Sequence, residues 1–201
     1  MIAVTDRILE AAIEEFAQKG YQAASTNTIT KSANVAKGLL FHYFKNKESL
    51  YISCYKRVLN WTQGEFEKFA ERSKDYDFFE FLKEWSLRKI SLATEKPIYA
   101  KFLLSVSTLP ERLQKTVMIM IKESFSNSIH ILYEKIKTVK LRENIDYEDA
   151  IVFVKAVFDG LGELYLNQYV DKTQQILENF DEIKIQTDKI IDMLKFGITE
   201  R

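Results

Sequence analysis

The sequence predicts an all-α protein, in which a three-helix helix-turn-helix unit at the N-terminus precedes a larger helical domain. Only 6 Gly and 2 Pro occur among the 201 residues, so few residues interrupt a helix. Lys, Glu, Leu and Ile are abundant, which favours long helices over a β-sandwich or a barrel. Near the N-terminus, two short helical segments joined by a tight turn follow an amphipathic helix, which is the pattern of a helix-turn-helix unit.

Composition and cysteine usage narrow the class of protein. Hydrophobic residues make up 46% of the chain and charged residues 29%, as is typical of globular proteins. Cys54 is the single cysteine and forms no internal disulfide, which favours the reducing cytoplasm. The sequence has no signal-peptide pattern and no apolar run of about 18 residues, so we expect a cytoplasmic protein without a membrane partner.

The positive charge is concentrated in one short window. The chain as a whole has a formal net charge of zero, but residues 20–47 hold four lysines and no acidic residue. Such a window is suited to a surface that faces phosphates. Chance clustering explains the charge pattern equally well, so other features must decide between the two.

The first two helices are delimited by residues with known local preferences. The first helix is predicted over about residues 5–19, with Thr5 as its cap and Gly20 as its stop. The second helix begins near Thr26 and ends at Asn34, a residue that tolerates the left-handed conformation of a sharp turn.

The third helix is predicted over residues 36–44, and a fourth begins after Asn46, which can cap it. We expect a DNA-binding domain over residues 1–50 and a second domain over 51–201, with the boundary inside the fourth helix. Pro97 breaks the next helical pattern, and Pro110 fits the first position of a long helix. The later helices are predicted over 78–90, 97–107, 110 to about 140, 146 to about 170 and 174 to about 196.

The third helix presents an unusual outward face. On a helical wheel Leu40 and Phe44 point inward, whereas Gly38 and His42 point outward. A glycine inside a helix costs about 1 kcal/mol relative to alanine, which is reasonable where another backbone must approach closely. DNA supplies such a backbone, because a recognition helix enters the major groove by its N-terminal end. The residues predicted to contact DNA are Thr26, Asn27, Thr28, Lys37, Gly38, Leu39, Phe41, His42, Tyr43 and Lys47.

Each side chain in this set has a chemical reason to be there. A lysine reaches guanine edges or phosphates, apolar groups contact thymine methyls, and histidine and tyrosine donate to phosphates or bases. A lysine at the start of a helix adds charge beside amides that already favour an anion. The alternatives are that Phe41 and Tyr43 pack against the protein, that His42 and Lys37 are ordinary surface residues, and that Gly38 is merely tolerated.

The stretch GYQAASTNTITKSANVAKGLLFHYFKNKESLY, residues 20–51, resembles the DNA-binding region of the TetR family of transcriptional regulators. The shared pattern is a glycine-aromatic pair, a Thr-rich helix start, a valine at the turn, then K-G-x-L-aromatic-x-aromatic-F and K-x-K-E-x-L. Asn34 stands where the family usually has glycine, and Ala36 where a serine cap is common.

The resemblance implies that the C-terminal domain is helical, binds a small molecule and forms a homodimer through its last two long helices. A dimer is also favoured because a symmetric operator needs two reading heads, separated by about 34–36 Å or a multiple of it. The alternative is that the apolar faces of these helices belong to the internal core. The residues predicted at the dimer interface are Phe153, Val157, Gly160, Leu164, Ile183, Thr187, Ile190, Ile191 and Leu194.

The middle helices are rich in aromatic residues, which would suit a pocket for an unidentified apolar or amphipathic effector. For any single residue, plain core packing is the alternative. The residues predicted to line the pocket are Trp85, Tyr99, Phe102, Phe125 and Tyr165.

We therefore expect a DNA-binding regulator, most simply a repressor that an effector releases from a palindromic double-stranded operator. A helical carrier or scaffold that no longer reads DNA is the alternative. An enzyme is disfavoured, because Cys54, His42 and His130 belong to no catalytic or metal-binding motif. We expect no catalytic residue, no metal site and no cofactor.

Overall fold

The computed structural model describes residues 3–169 and 178–199. Within these ranges it describes the side chains of all residues but 125–128, 162–163 and 165–169. The described residues form α-helices and one 3₁₀ turn, and the only β-pairing among them is an isolated bridge between Leu141 and Thr199. The all-α prediction is confirmed. The elements are α1 (Val4–Ala23), α2 (Thr26–Ser32), α3 (Lys37–Phe44), α4 (Lys47–Arg72), α5 (Phe78–Glu95), α6 (Pro97–Leu104), the 3₁₀ turn (Ser105–Thr108), α7 (Glu111–Ile136), α8 (Tyr147–Tyr169) and α9 (Phe180–Ile198).

The helices form two compact units. The first unit comprises Met1–Gly64 and Lys96–Ser124, and the second comprises Glu65–Glu95 and Phe125–Arg201. The chain passes from one to the other inside α4, between α5 and α6, and inside α7. These units are defined by the packing of the helices and not by function. The division into functional domains at residues 1–50 and 51–201 stays a prediction.

The core of the first unit is built around aromatic side chains of α4. The Tyr51 ring lies 5.0 Å from the rings of both Phe16 on α1 and Phe102 on α6. The hydroxyls of this core are satisfied, because Tyr51 Oη lies 2.9 Å from Ser105 Oγ and Tyr55 donates to the Leu103 carbonyl over 3.2 Å. Burial raises the pKa of Tyr51 to about 12, although the hydrogen bond to Ser105 acts in the opposite direction. Helices α1, α4 and α6 are therefore held by both apolar and polar contacts.

A charged network joins the same three helices at their edge. Arg57 Nη1 lies 2.8 Å from Asp6 Oδ1, and Arg57 Nε lies 2.8 Å from Glu10 Oε1. The Tyr99 hydroxyl donates to the same Glu10 oxygen over 2.7 Å. One guanidinium on α4 thus positions α1 and, through Glu10, α6.

The second unit has its own core, formed by residues of α5, α8, α9 and the C-terminal part of α7. Its most buried members include Phe78, Ile136, Val154 and Leu194. At its edge the Lys135 ammonium donates to the carbonyls of residues 73, 74 and 76, over 3.1, 3.1 and 2.7 Å. This lysine therefore satisfies carbonyls of the turn that follows α4.

The residues predicted to begin and end the first two helices differ in how well they match the structure. Gly20 interrupts α1 with φ 72°, and Asn34 adopts φ 50° in the turn before α3, so both predictions are confirmed. The prediction that Thr5 caps the first helix is wrong. Ala3 occupies the cap position, without a side-chain hydrogen bond, because the helix begins one residue earlier, at Val4.

The predicted cap of the fourth helix is confirmed, because Asn46 Oδ1 accepts a hydrogen bond from the Ser49 amide over 2.7 Å. The third helix begins at Lys37, one residue later than predicted. Ala36 precedes it in an extended conformation and makes no side-chain cap hydrogen bond.

The later helices differ from prediction mainly at their ends. Helix α7 begins at Glu111, after Pro110, and stops at Ile136, because turns formed by the Thr138 and Val139 amides replace the helix there. Asp146 Oδ1 accepts a hydrogen bond from the Asp149 amide over 2.8 Å and thereby caps α8. The predicted ends of the last two helices at residues 170 and 174 lie outside the described residues.

The caps give a direct test of these local assignments. Replacing Asn46 with Ala should lower the free energy of unfolding by about 1 kcal/mol, because the Ser49 amide loses its acceptor. Urea denaturation at one protein concentration measures this change. Asn179→Ala is the matched control, because Asn179 occupies the cap position of α9 without a side-chain cap hydrogen bond. Equal losses in the two variants would contradict the assigned role of Asn46.

Candidate nucleic-acid interface

Helices α2 and α3 form a tight helix-turn-helix corner. The left-handed Asn34 reverses the chain, and the Val35 amide donates to the Thr30 carbonyl over 3.0 Å. Ile29 from α2 and Leu40 from α3 are fully buried beneath the corner. This packing fixes the axis of α3 and determines which of its sides faces outward.

The outward side of α3 carries the residues that the wheel placed there. Lys37, Gly38, His42 and Tyr43 are exposed, and the His42 and Tyr43 rings meet edge to face at 5.3 Å. A Cβ atom added to Gly38 would meet nothing within 4 Å, and the glycine has no positive φ. The protein's own packing therefore does not require glycine at this position.

The two apolar residues predicted to contact DNA are less accessible. Leu39 is half-buried, and Phe41 is half-buried against the core of the first unit. The ring of Phe41 thus occupies the position expected from the packing alternative. Its part in DNA binding stays a prediction.

The start of α2 offers two exposed polar side chains, Asn27 and Thr28, beside a half-buried Thr26. A carboxylate already lies here, because the Ser25 amide donates to Glu15 Oε1 over 2.9 Å. This contact joins the start of α2 to α1. It was not foreseen from the sequence, since the two residues lie ten positions apart.

Lys47 is engaged by the protein itself. Its ammonium donates to the Gln22 carbonyl over 3.0 Å and lies 5.1 Å from the centre of the Tyr21 ring. Burial lowers the pKa of Lys47, and the nearby Glu15 carboxylate opposes that shift. Lys47 therefore joins the start of α4 to the C-terminal end of α1.

Further cations surround this surface. Lys31 and Lys45 are exposed, and their position in the basic window was the signal that could have added them to the site. Arg112 lies farther along the chain and binds Glu48 in the first turn of α4, with Nη2 and Oε1 3.1 Å apart. No local pattern in the sequence marks this pair.

The predicted dimer residues are distributed over an open apolar groove and the core behind it. Helices α8 and α9 form this groove, which has a volume of about 520 Å³. It is lined by Phe153, Ala156, Val157, Gly160, Leu161, Leu164, Ile190, Met193 and Leu194. The set includes six of the predicted dimer residues.

The predicted face of α9 is largely internal. Ile183, Thr187, Ile191 and Leu194 are all buried in the second unit, where α9 packs against α5. This burial is what the alternative of an internal core face predicts, and the part of these residues in a dimer stays a prediction. The exposed apolar residues of α9 are instead Ile185, Met193 and Phe196, which are 54%, 66% and 68% exposed.

The predicted effector residues whose side chains the structure describes are divided between the two units. In the second unit the Trp85 ring meets Phe66 edge to face at 4.9 Å and lies tilted against Phe69 at 5.2 Å. Tyr99 and Phe102 belong to the core of the first unit. The side chains of Phe125 and Tyr165 lie outside those that the structure describes.

The single cysteine of the chain lies in the core of the first unit. Cys54 is fully buried, and burial raises the pKa of its thiol, which keeps it protonated and unreactive. Among the described residues no group of His, Cys, Asp and Glu is arranged to hold a metal ion. No helix within those residues has the length and apolarity required to span a bilayer.

Both the N-terminal and the C-terminal part of the chain match models of known protein families. Residues 8–54 match the model of bacterial regulatory proteins of the TetR family, and residues 76–199 match that of the tetracyclin repressor-like C-terminal domain. The fatty acid metabolism regulator protein of Bacillus subtilis is 39% identical over 70 residues, and the match spans only 34% of each chain. The biofilm operon regulator IcaR of Staphylococcus aureus is 26% identical over 193 residues, which cover 87% of this chain and 97% of IcaR.

Solved structures extend the likeness of the fold to nearly the whole chain. The regulator FadR from Bacillus subtilis, in complex with stearoyl-CoA, has a TM-score of 0.68 at 24% identity, covering 96% of this chain and 98% of FadR. A regulator from Chloroflexus aurantiacus has a TM-score of 0.62 at 20% identity, covering 98% and 93%. With a helix-turn-helix corner at one end and the family's C-terminal domain over most of the remainder, the chain belongs to the TetR family of transcriptional regulators.

Proposed function

We propose that this regulator is a homodimeric repressor, which binds a palindromic operator through α2 and α3 and is released by an amphipathic effector. The observation that carries the DNA-binding part is Gly38. It is exposed in the first turn of α3, and neither its backbone angles nor its surroundings require a glycine. A residue that costs helix stability without serving the fold is explained by a partner that must approach the helix closely.

The charges around Gly38 are consistent with a nucleic-acid partner. Lys31, Lys37 and Lys45 are exposed on the corner, where they can neutralise phosphates. His42 and Tyr43 add hydrogen-bonding groups to the same side of α3. Direct base contacts then fall to the first turn of α3, which is the part of a recognition helix that lies deepest in the major groove.

A second copy of the chain is the proposed occupant of the groove between α8 and α9. The groove exposes the large apolar side chains of Phe153, Leu164 and Met193. Val152 and Phe196, on the same two helices, are exposed as well. Monomeric proteins seldom leave a continuous apolar surface of this kind in water. Pairing two copies would bury it in a four-helix arrangement and would supply the two heads that a palindrome requires.

A long-chain acyl thioester is the proposed effector class. FadR was solved with stearoyl-CoA, and the Bacillus subtilis fatty acid metabolism regulator shares 39% identity with this chain over 70 residues. An effector of this class would release the operator only if it binds the non-reading conformation more tightly than the reading one.

Replacing Gly38 with Ala tests the DNA interface. The added methyl should leave folding intact, or stabilise it by up to about 1 kcal/mol, because it meets no protein atom. Affinity for a duplex selected from random DNA should fall at least roughly tenfold, because the added methyl keeps the helix from approaching the DNA major groove closely. Fluorescence anisotropy of the labelled duplex measures the loss.

Gly64→Ala is the matched control. Gly64 lies within α4, and an added Cβ would meet nothing within 4 Å there either. It should give a similar change in stability with no change in DNA affinity. Unaltered DNA affinity in Gly38→Ala would remove the main support for the proposed interface.

The dimer is tested by a charge in the groove. Met193→Glu should give a monomer in analytical ultracentrifugation, because a carboxylate would be buried against an apolar partner surface. The variant should also bind the selected duplex much more weakly. Ile119→Glu is the control, because Ile119 is similarly exposed but lies on α7 in the first unit. A dimeric Met193→Glu protein would show that the second copy binds elsewhere.

The effector class is tested with stearoyl-CoA as the probe, using coenzyme A and stearate separately as controls. Saturation should weaken binding to the selected duplex roughly 5- to 150-fold, the range typical of coupled sites. Calorimetry establishes saturation independently of DNA release. A protein that is saturated with stearoyl-CoA and still binds the duplex at full affinity would exclude this effector.

A further inference from the structure

Arg112 links the start of α7 to the start of α4. Its Nη2 lies 3.1 Å from Glu48 Oε1, and the Arg112 side chain is 86% exposed while that of Glu48 is 38% exposed. A surface ion pair of this kind adds little to the stability of a fold. Its position within the molecule suggests another role.

Glu48 is the first acidic residue after Glu15, so it ends the basic window that contains the proposed DNA surface. It directly follows Lys47, and only three residues of the chain separate it from Phe44, the last residue of α3. It also lies close to Tyr21: burial raises the pKa of that hydroxyl, and the Glu48 carboxylate raises it further. A negative charge therefore lies at the edge of the surface that is proposed to face phosphates.

The segment that carries Arg112 is fixed to the same side of α4. Tyr51 and Tyr55, three and seven residues after Glu48, bond to Ser105 and Leu103 over 2.9 and 3.2 Å. Positions separated by three and four residues lie on one side of a helix. Glu48, Tyr51 and Tyr55 thus form a single stripe along α4, and the segment 103–112 is held against it.

We propose that Arg112 is a positioning residue for DNA binding, which acts by neutralising Glu48 at the DNA-facing end of α4. Without the guanidinium, the Glu48 carboxylate would repel nearby phosphates, over distances at which dissolved salt screens this repulsion only partly. This role rests on the proposed DNA-binding function. It extends the determinants of DNA affinity to a residue outside the helix-turn-helix corner.

The test is a double-mutant cycle on the selected duplex at low salt. Arg112→Ala should weaken binding roughly three- to tenfold, an estimate based on the repulsion between one carboxylate and nearby phosphates. In a Glu48→Gln background the same substitution should change affinity less than about twofold, because no charge is left to neutralise. Arg112→Lys should largely restore the affinity of the wild type.

Lys115→Ala is the control, because Lys115 is 74% exposed, lies three residues after Arg112 and binds Glu111 over 2.6 Å. It should leave DNA affinity unchanged. An Arg112→Ala protein with wild-type affinity would overturn the proposal. An equal loss in both backgrounds, with a shallower dependence on salt, would also overturn it, because Arg112 would then contact a phosphate itself. Failure of the wild type to bind any duplex would instead count against the proposed function.

Discussion

The structure depends on the burial of the aromatic stripe of α4 between α1 and α6. Tyr51 and Tyr55 are almost fully buried, and the rings of Phe16 and Phe102 lie against Tyr51 from the two neighbouring helices. Burying one such side chain contributes about 1.5–3 kcal/mol, and favourable ring pairs add about 0.5–1.5 kcal/mol. Because α4 begins immediately after α3, the packing of these rings also sets the orientation in which α3 is presented.

Helix α3 is small enough that its function and its stability compete for the same residues. An isolated helix of 8 residues is unstable in water, so α3 depends on tertiary contacts. Leu40 and Phe44 supply most of them, with half-buried Phe41 beside them. The remaining side of the helix, which includes Gly38, contributes nothing to the core and is available for a partner. The weak helix propensity of that side is therefore tolerated because the inner side is well packed.

The features that could be predicted from the sequence are those that depend on neighbours along the chain. Gly20, Asn34 and Asn46 took the backbone or capping roles expected of their residue types, and Leu40 and Phe44 point inward as the helical period requires. The tether of Lys47 to the Gln22 carbonyl and the Glu48–Arg112 pair could not be predicted, because each joins residues that only the tertiary fold brings together. Aromatic content alone does not distinguish a core from a pocket, and Tyr99 and Phe102 of the predicted effector set belong to the core of the first unit.

Helix α9 shows which apolar residues the helical period alone can identify and which it cannot. The spacing of Ile183, Thr187, Ile191 and Leu194 identifies one apolar face, and the structure buries that face in the second unit. The same helix carries Ile185, Met193 and Phe196 on its exposed surface. A helix that is apolar on more than one side needs more than one partner, and its own unit supplies only the first. The excess of exposed apolar residues on α9, rather than its regular stripe, is therefore the property of this helix that argues for a second chain.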